Sequence, residues 1–113
     1  MMSFLKRFVT SNDEVCVPHE EMCAVVDQQQ QMVIDVREPH EYAAGHVKGA
    51  VNMPLSSFNP ALIDPTRPVV LICQAGGRSA KALGLLHAAH HPQARHYKPG
   101  TGGWIARCGS IAN

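Results

Sequence analysis

The most constraining feature of the chain is the run Val69-Val70-Leu71-Ile72, four continuous apolar residues set between Pro68 and the glycines Gly76 and Gly77. A run without alternation has no solvent-facing side, so it predicts a strand covered on both faces, as in a parallel sheet. Helix and strand signals flank it on both sides. From Ser79 to His91 the residues are strong helix formers, with Ala80, Leu83, Leu86 and His87 on one stripe and Pro92 as the stop. Upstream, Pro18 opens a helix with Met22, Val25 and Val26 on one face, which runs into the Gln28 to Gln31 tract. Met32, Val33, Ile34 and Val36, interrupted only by Asp35, predict a second buried strand. Pro39 to Ala44 suggests a helical turn closed by Gly45, and Gly49 to Met53 a brief strand ended by Pro54. Leu55 to Ile63 reads as a loose helix or loop. Ala94 to Lys98 then suggests a strand, Gly100 to Gly103 a turn, and Trp104 to Arg107 a short helix. Strands alternating with helices predict an α/β fold with a mainly parallel sheet.

At 113 residues the chain is sized for one domain, and we assign residues 1–12 to an N-terminal arm and 13–113 to the domain. No apolar run approaches the roughly 18 residues of a membrane span. Phe4 to Val9 is broken by Lys6 and Arg7, so the arm does not read as a signal peptide. The cysteines are Cys16, Cys23, Cys73 and Cys108, with no C-x-x-C pair, and are expected as thiols in a reducing, cytoplasmic setting. Cys16 and Cys23, among Val15, Val17 and Met22, read as small buried hydrophobes. Cys108 reads as packing or an exposed bystander.

Charge is unevenly spread. Residues 1–64 hold all nine carboxylates against four fixed cations, whereas residues 65–113 hold Arg67, Arg78, Lys81, Arg95, Lys98 and Arg107 and no carboxylate. A half with only positive fixed charge favours a small anionic ligand. Its cations are not clustered, and the few aromatic residues are not interleaved with them, so a nucleic-acid partner is not expected.

The segment Cys73-Gln74-Ala75-Gly76-Gly77-Arg78-Ser79 joins the central strand to the following helix. Ligands of open α/β sheets bind at the carboxyl ends of strands, where this segment places a cysteine. A helix N-terminus presents unpaired N–H groups and the positive end of its dipole, which lower a thiol's pKa and bind anions. Arg78 adds a fixed cation, and Gly76 and Gly77 can both take positive φ values that turn N–H groups inward. The loop therefore suits a nucleophilic thiolate and a bound anion.

Ile34-Asp35-Val36-Arg37-Glu38, Glu41-Tyr42 and Gly45-His46-Val47-Lys48-Gly49-Ala50-Val51-Asn52 together resemble the first signature of the rhodanese family of sulfurtransferases. The Cys73 to Ser79 loop resembles that family's active-site segment, and Gly102-Gly103-Trp104 its closing turn. The resemblance covers about residues 15 to 107. It implies a rhodanese-like fold with a mainly parallel sheet of about five strands flanked by helices. It also implies Cys73 as nucleophile, Arg78 as a catalytic cation, and Gln74, Ala75, Gly76, Gly77 and Ser79 as the substrate-binding loop.

On that resemblance Cys73 takes a sulfur from thiosulfate or a similar donor, becomes a persulfide, and yields the sulfur to cyanide or a thiol, with no metal or organic cofactor. A second reading is a sulfur-carrier or regulatory module charged by a partner protein's persulfide. A third is a phosphatase or arsenate reductase, which resembles this site but has a cradle one residue longer. Four residues, Gln74 to Gly77, separate Cys73 from Arg78 here, and a tetrahedral phosphate needs a wider ring of donors.

Asp35 and Arg37, at a strand end, are expected to hold neighbouring loops, and Arg37 with Glu38 also suits a surface ion pair. His46 is expected to anchor backbone. His87, His90 and His91 have metal-ligand spacing but also suit the negative end of a helix dipole, and the dipole reading is preferred.

Overall fold

A computed structural model describes residues 14–113; the arm assigned to residues 1–12 lies outside the described residues. The chain runs α1 (His19–Gln28), β1 (Met32–Asp35), α2 (Pro39–Ala44), β2 (His46–Val47), β3 (Val51–Asn52), two 3-10 turns (Leu55–Ser57 and Pro60–Leu62), β4 (Val69–Ile72), α3 (Gly77–Ala88), β5 (Ala94–His96), α4 (Gly100–Ala106) and β6 (Ile111–Ala112).

Four strands form one parallel sheet in the order β3-β1-β4-β5. All four residues of β4 are buried, as a run without alternation requires. The side chains still part by parity. Val70 and Ile72 join Val33, Met22, Val25, Val26, Tyr97 and Trp104 in one core, while Val69, Leu71 and Cys73 join Ile34, Ala82, Leu83 and Leu86 in the other. Period-two geometry thus sends Cys73 to the face that α3 covers, the helix whose N-terminus follows it.

The place of a fifth strand is taken by a single parallel bridge between Cys16 and His96 at the β5 edge. The second, antiparallel pairing, β2 with β6, has no counterpart in the sequence reading. Two-residue strands are too short to show a period, so only contact reveals them.

Three further expectations are corrected. Gly100 to Gly103 is not a turn but the start of α4, which begins at Gly100 and ends at Ala106. Glycine is a poor helix former, but the first-turn N–H groups of Thr101 and Gly102 find acceptors in the Cys73 loop, and this tertiary bonding outweighs propensity. Helix α3 starts two residues earlier than expected and ends at Ala88, and its buried stripe is Ser79, Ala82, Leu83 and Leu86, with Ala80 and His87 exposed. It stops before Pro92 because His90 turns left-handed at φ 64° while its N–H bonds His87 O and the His91 N–H bonds Leu86 O.

Candidate active site

Strand β1 connects outward to β3, and the chain then returns to β1's other side as β4, so the strand order reverses between β1 and β4. Asp35 lies beside Ile72 in that pairing, and the residues after both strands emerge together at the switch point. Arg37 from the β1 end and Cys73-Gln74 from the β4 end therefore meet.

Cys73 is buried, 1 % exposed, at the bottom of a loop whose rim residues Gln74, Ala75 and Gly77 are exposed. Its Sγ accepts the Gly76 N–H at 3.0 Å and lies 3.6 Å from Ser79 Oγ. Burial alone would push the thiol pKa up. The backbone N–H and hydroxyl of Ser79 and the N–H groups of Ala75 and Gly76 outweigh it, holding Cys73 below its ordinary value. This is the electrostatics of a helix N-terminus focused on one sulfur.

Of the two loop glycines only Gly76 needs to be glycine. Its φ is +100°, and a Cβ there would meet Lys98 O at 2.5 Å. The expectation that Gly77 also takes a positive φ is not met: Gly77 is already the first helical residue, and a Cβ on it would meet nothing within 4 Å. The loop is pinned from its other side by α4, through Thr101 N–H to Cys73 O at 2.8 Å and Gly102 N–H to Gln74 O at 3.2 Å. Gly100, at φ +74°, permits this approach, since a Cβ would stand 2.2 Å from Gln74 O.

Asp35 and Arg37 form a buried ion pair, with Arg37 Nη2 2.8 Å from Asp35 Oδ2 and Nε bonded to both carboxylate oxygens. The spare guanidinium N–H groups reach Gly45 O at 2.7 Å and Gln74 Oε1 at 3.2 Å, joining the β1 end to the Cys73 loop. The alternative of a surface pair with Glu38 is overturned, because Arg37 is 4 % exposed and bonded to Asp35. Arg78 projects from the first turn of α3 and makes a two-pronged bond to Glu41 of α2, 2.6 and 3.0 Å. The Arg78 hydrogen bonds hold the Glu41 carboxyl at about 2, against the opposing effect of burial and with help from the Glu38 N–H.

Three of the histidines are tied to backbone carbonyls, while His91 Nδ1 and Thr101 Oγ1 are buried without a partner. His46 Nδ1 bonds Tyr42 O, His87 Nε2 bonds Ala94 O, and His91 Nε2 bonds Asp64 O. Among the described residues no three His, Cys, Asp or Glu side chains gather as a metal site. Cys16 and Cys23, expected as small buried hydrophobes, are only partly buried, Cys23 against the core of α1. Each is half-buried beside an imidazole, Cys16 at 3.7 Å from His96 Nε2 and Cys23 at 3.5 Å from His19 Nε2. Cys108 is exposed. In the sequence Glu41 stands out only as part of the family signature and His96 not at all, and neither receives a site role there; the capping-box position of Glu41, three residues after Glu38, is a local signal for the first, and none exists for the second.

The rhodanese-like domain family matches residues 19–107. The chain belongs to the rhodanese-like family. Protein YqhL of Bacillus subtilis is 46 % identical over 52 residues, covering 44 % of this chain and 41 % of its own. Thiosulfate sulfurtransferase 16 of Arabidopsis thaliana, a chloroplastic protein, is 37 % identical over 70 residues, 49 % of this chain and 58 % of its own. The probable adenylyltransferase/sulfurtransferase MoeZ of Mycobacterium tuberculosis is 37 % identical over 76 residues, 64 % of this chain but 19 % of its own. The rhodanese-like chain thus spans less than two thirds of these curated relatives. Among solved structures, the human single-domain sulfurtransferase TSTD1 superposes with a TM-score of 0.74 at 25 % identity, covering 82 % of this chain and 96 % of that one. A rhodanese-related protein from Thermoplasma volcanium superposes at 0.78 with 22 % identity, covering 86 % and 96 %, and supports the fold. No described helix of this rhodanese-like chain is long and apolar enough to cross a membrane.

Proposed function

We propose that the protein is a sulfurtransferase that carries a sulfane sulfur on Cys73. The observation carrying this reading is a buried sulfur at the end of the central strand, bonded by the Gly76 N–H at 3.0 Å, in a loop with four residues between Cys73 and Arg78. Cys73 thiolate attacks the outer sulfur of thiosulfate or a similar donor; the new S–S bond forms as the old one breaks, and sulfite leaves with the bonding pair. The inward N–H groups stabilise the thiolate and then the persulfide's terminal sulfur. Cyanide, or a thiolate acceptor, attacks that terminal sulfur and returns Cys73 to thiolate. Neither half-reaction calls for a cofactor.

The test is the intact mass after thiosulfate treatment, with and without cyanide. One added sulfur atom, removed by cyanide and absent from Cys73→Ser, is the expected result. Retained thiosulfate:cyanide activity in Cys73→Ser overturns the reading.

The Arg78–Glu41 pair favours a second reading of the same chemistry. With its guanidinium engaged by a carboxylate at 2.6 Å, Arg78 offers less net charge to a dianion than its position in the sequence suggests. A donor with less charge to neutralise, such as a persulfide on a partner protein, then gains relative to thiosulfate. The name of the MoeZ relative, a probable adenylyltransferase/sulfurtransferase, is compatible with such transfer. Faster charging of Cys73 by glutathione persulfide than by thiosulfate supports this version, and the reverse order favours the first.

A further inference from the structure

Behind the nucleophile the Ser79 hydroxyl leads on to two side chains, His96 and Cys16, that the sulfur chemistry above does not use. Ser79 Oγ, fully buried, lies 3.6 Å from Cys73 Sγ, 3.1 Å from Gly76 O and 2.8 Å from His96 Nδ1. On the far side of the same imidazole, Nε2 lies 3.7 Å from Cys16 Sγ. Backbone pairing fixes this last contact: Cys16 bridges His96 in parallel, and the Val17 N–H bonds His96 O at 2.9 Å. His96 is 5 % exposed, so its nitrogens have little water to turn to.

The Ser79 hydroxyl has one proton and three surrounding acceptors. With Cys73 as a thiol, the S–H donates to Ser79 Oγ and the hydroxyl donates to Gly76 O. With Cys73 as a thiolate, the charged sulfur is the strongest acceptor in reach, provided that His96 Nδ1 does not compete for the same proton. The tautomer of His96 decides this. A proton on Nδ1 makes the ring a donor to Ser79 Oγ and leaves Nε2 as acceptor for the Cys16 S–H; a proton on Nε2 makes Nδ1 a rival of the thiolate.

We propose that His96 and Cys16 are positioning residues for the nucleophile: the Cys16 S–H selects the Nδ1–H tautomer of His96, which turns the Ser79 hydroxyl toward the Cys73 thiolate. The chain of donors is then Cys16 to His96, His96 to Ser79, and Ser79 to Cys73, with no proton changing owner. The ring stays neutral, because burial and then the charge of Lys98 both lower its pKa. The groups facing it are Ser79, Cys16 and, through Ser79, Cys73, with Lys98 as the nearby fixed charge. The inference rests on Cys73 as the sulfur-carrying nucleophile, and it adds the residues that set its ionisation.

The experiment is the pH profile of Cys73 alkylation by iodoacetamide, read on the Cys73 peptide by mass spectrometry, with circular dichroism confirming the fold of each variant. His96→Leu fills the buried site without a donor and raises the midpoint by about one pH unit, about tenfold less thiolate near neutral pH. His96→Asn, whose amide N–H stands close to the Nδ1 position, reverses most of that shift. Ser79→Ala raises the midpoint by itself and makes a further His96→Leu change silent, because the connection is already cut. Cys16→Ala, a small change at a half-buried position, gives a lesser rise in the same direction. An unmoved midpoint in His96→Leu, an Asn variant no better than Leu, or equal His96 effects with and without Ser79 overturns the proposal. Should His96→Leu not fold, Cys16→Ala decides alone, and an unmoved midpoint there overturns it. Alkylation needs no sulfur donor, so absence of a Cys73 persulfide in the unmodified protein would sink the sulfurtransferase reading while leaving these midpoints as expected.

Discussion

Arg78 and Glu41 restrain each other, and the consequence differs for stability and for substrate. The Glu41 carboxyl is held at about 2 in the fold against an ordinary 4.5, so the folded protein binds fewer protons there than the unfolded chain. The stabilisation is therefore complete above pH 4.5 and is lost as pH falls through about 2. The pair is partly exposed, which limits its worth to about 1 kcal/mol or less. Glu41→Gln should cost that much in urea unfolding at neutral pH, and the difference from wild type should vanish near pH 2. The same substitution frees the guanidinium for an anion. The KM for thiosulfate should fall in Glu41→Gln and rise in Arg78→Ala, as read by steady-state kinetics; two unchanged KM values would mean that the loop N–H groups alone bind the donor.

At the scale of the element, the Cys73 loop is a strand-to-helix turn with one obligatory glycine. Gly76→Ala forces a Cβ into Lys98 O at a left-handed φ and should destabilise by at least about 2 kcal/mol. Gly77→Ala meets nothing and replaces a poor helix former inside α3, so it should stabilise by about 0.5 to 1 kcal/mol. Paired thermal melts measure both, and equal losses would show that the loop needs two glycines. Loop length carries a separate expectation. With four residues between Cys73 and Arg78, aryl phosphates should be hydrolysed negligibly, whereas one residue inserted after Ala75 should lower sulfur transfer by opening the ring of donors. Efficient phosphate hydrolysis by the natural loop would displace the sulfurtransferase reading with the phosphatase one.

Across the whole molecule, one buried ion pair joins three parts of the chain. Asp35 holds Arg37, and Arg37 in turn holds Gly45 O before β2 and Gln74 Oε1 after β4, while the Asn52 amide of β3 donates to Asp35 O and Arg37 O. Removing the carboxylate leaves a buried guanidinium without its counter-charge. Asp35→Ala should therefore cost about 3 to 5 kcal/mol, a large part of the roughly 5 to 15 kcal/mol that holds a domain folded. Urea unfolding gives the value directly, and a loss below about 1 kcal/mol would mean that water or another carboxylate replaces Asp35.

What the amino-acid sequence determined by itself is whatever depends on neighbours along the chain. The unbroken apolar run of β4, the Pro-bounded helices α1 and α2, and the cysteine at a strand end before a glycine-containing loop are local signals, and the parallel α/β architecture follows from their order. The tertiary structure alone decided what depends on distant residues meeting. Helix α4 takes in Gly100 to Gly103 because its first N–H groups bond the Cys73 loop, a contact invisible in the propensities of those residues. The β2–β6 pairing joins segments too short to carry a period. Arg37 chose Asp35 over the adjacent Glu38 because burial makes a multiply bonded partner decisive. The line from Cys73 through Ser79 and His96 to Cys16 spans three separate segments, brought together by strand register and helix placement. Local patterning specifies which elements form; long-range pairing specifies which side chains share a site, and no one-dimensional period encodes that.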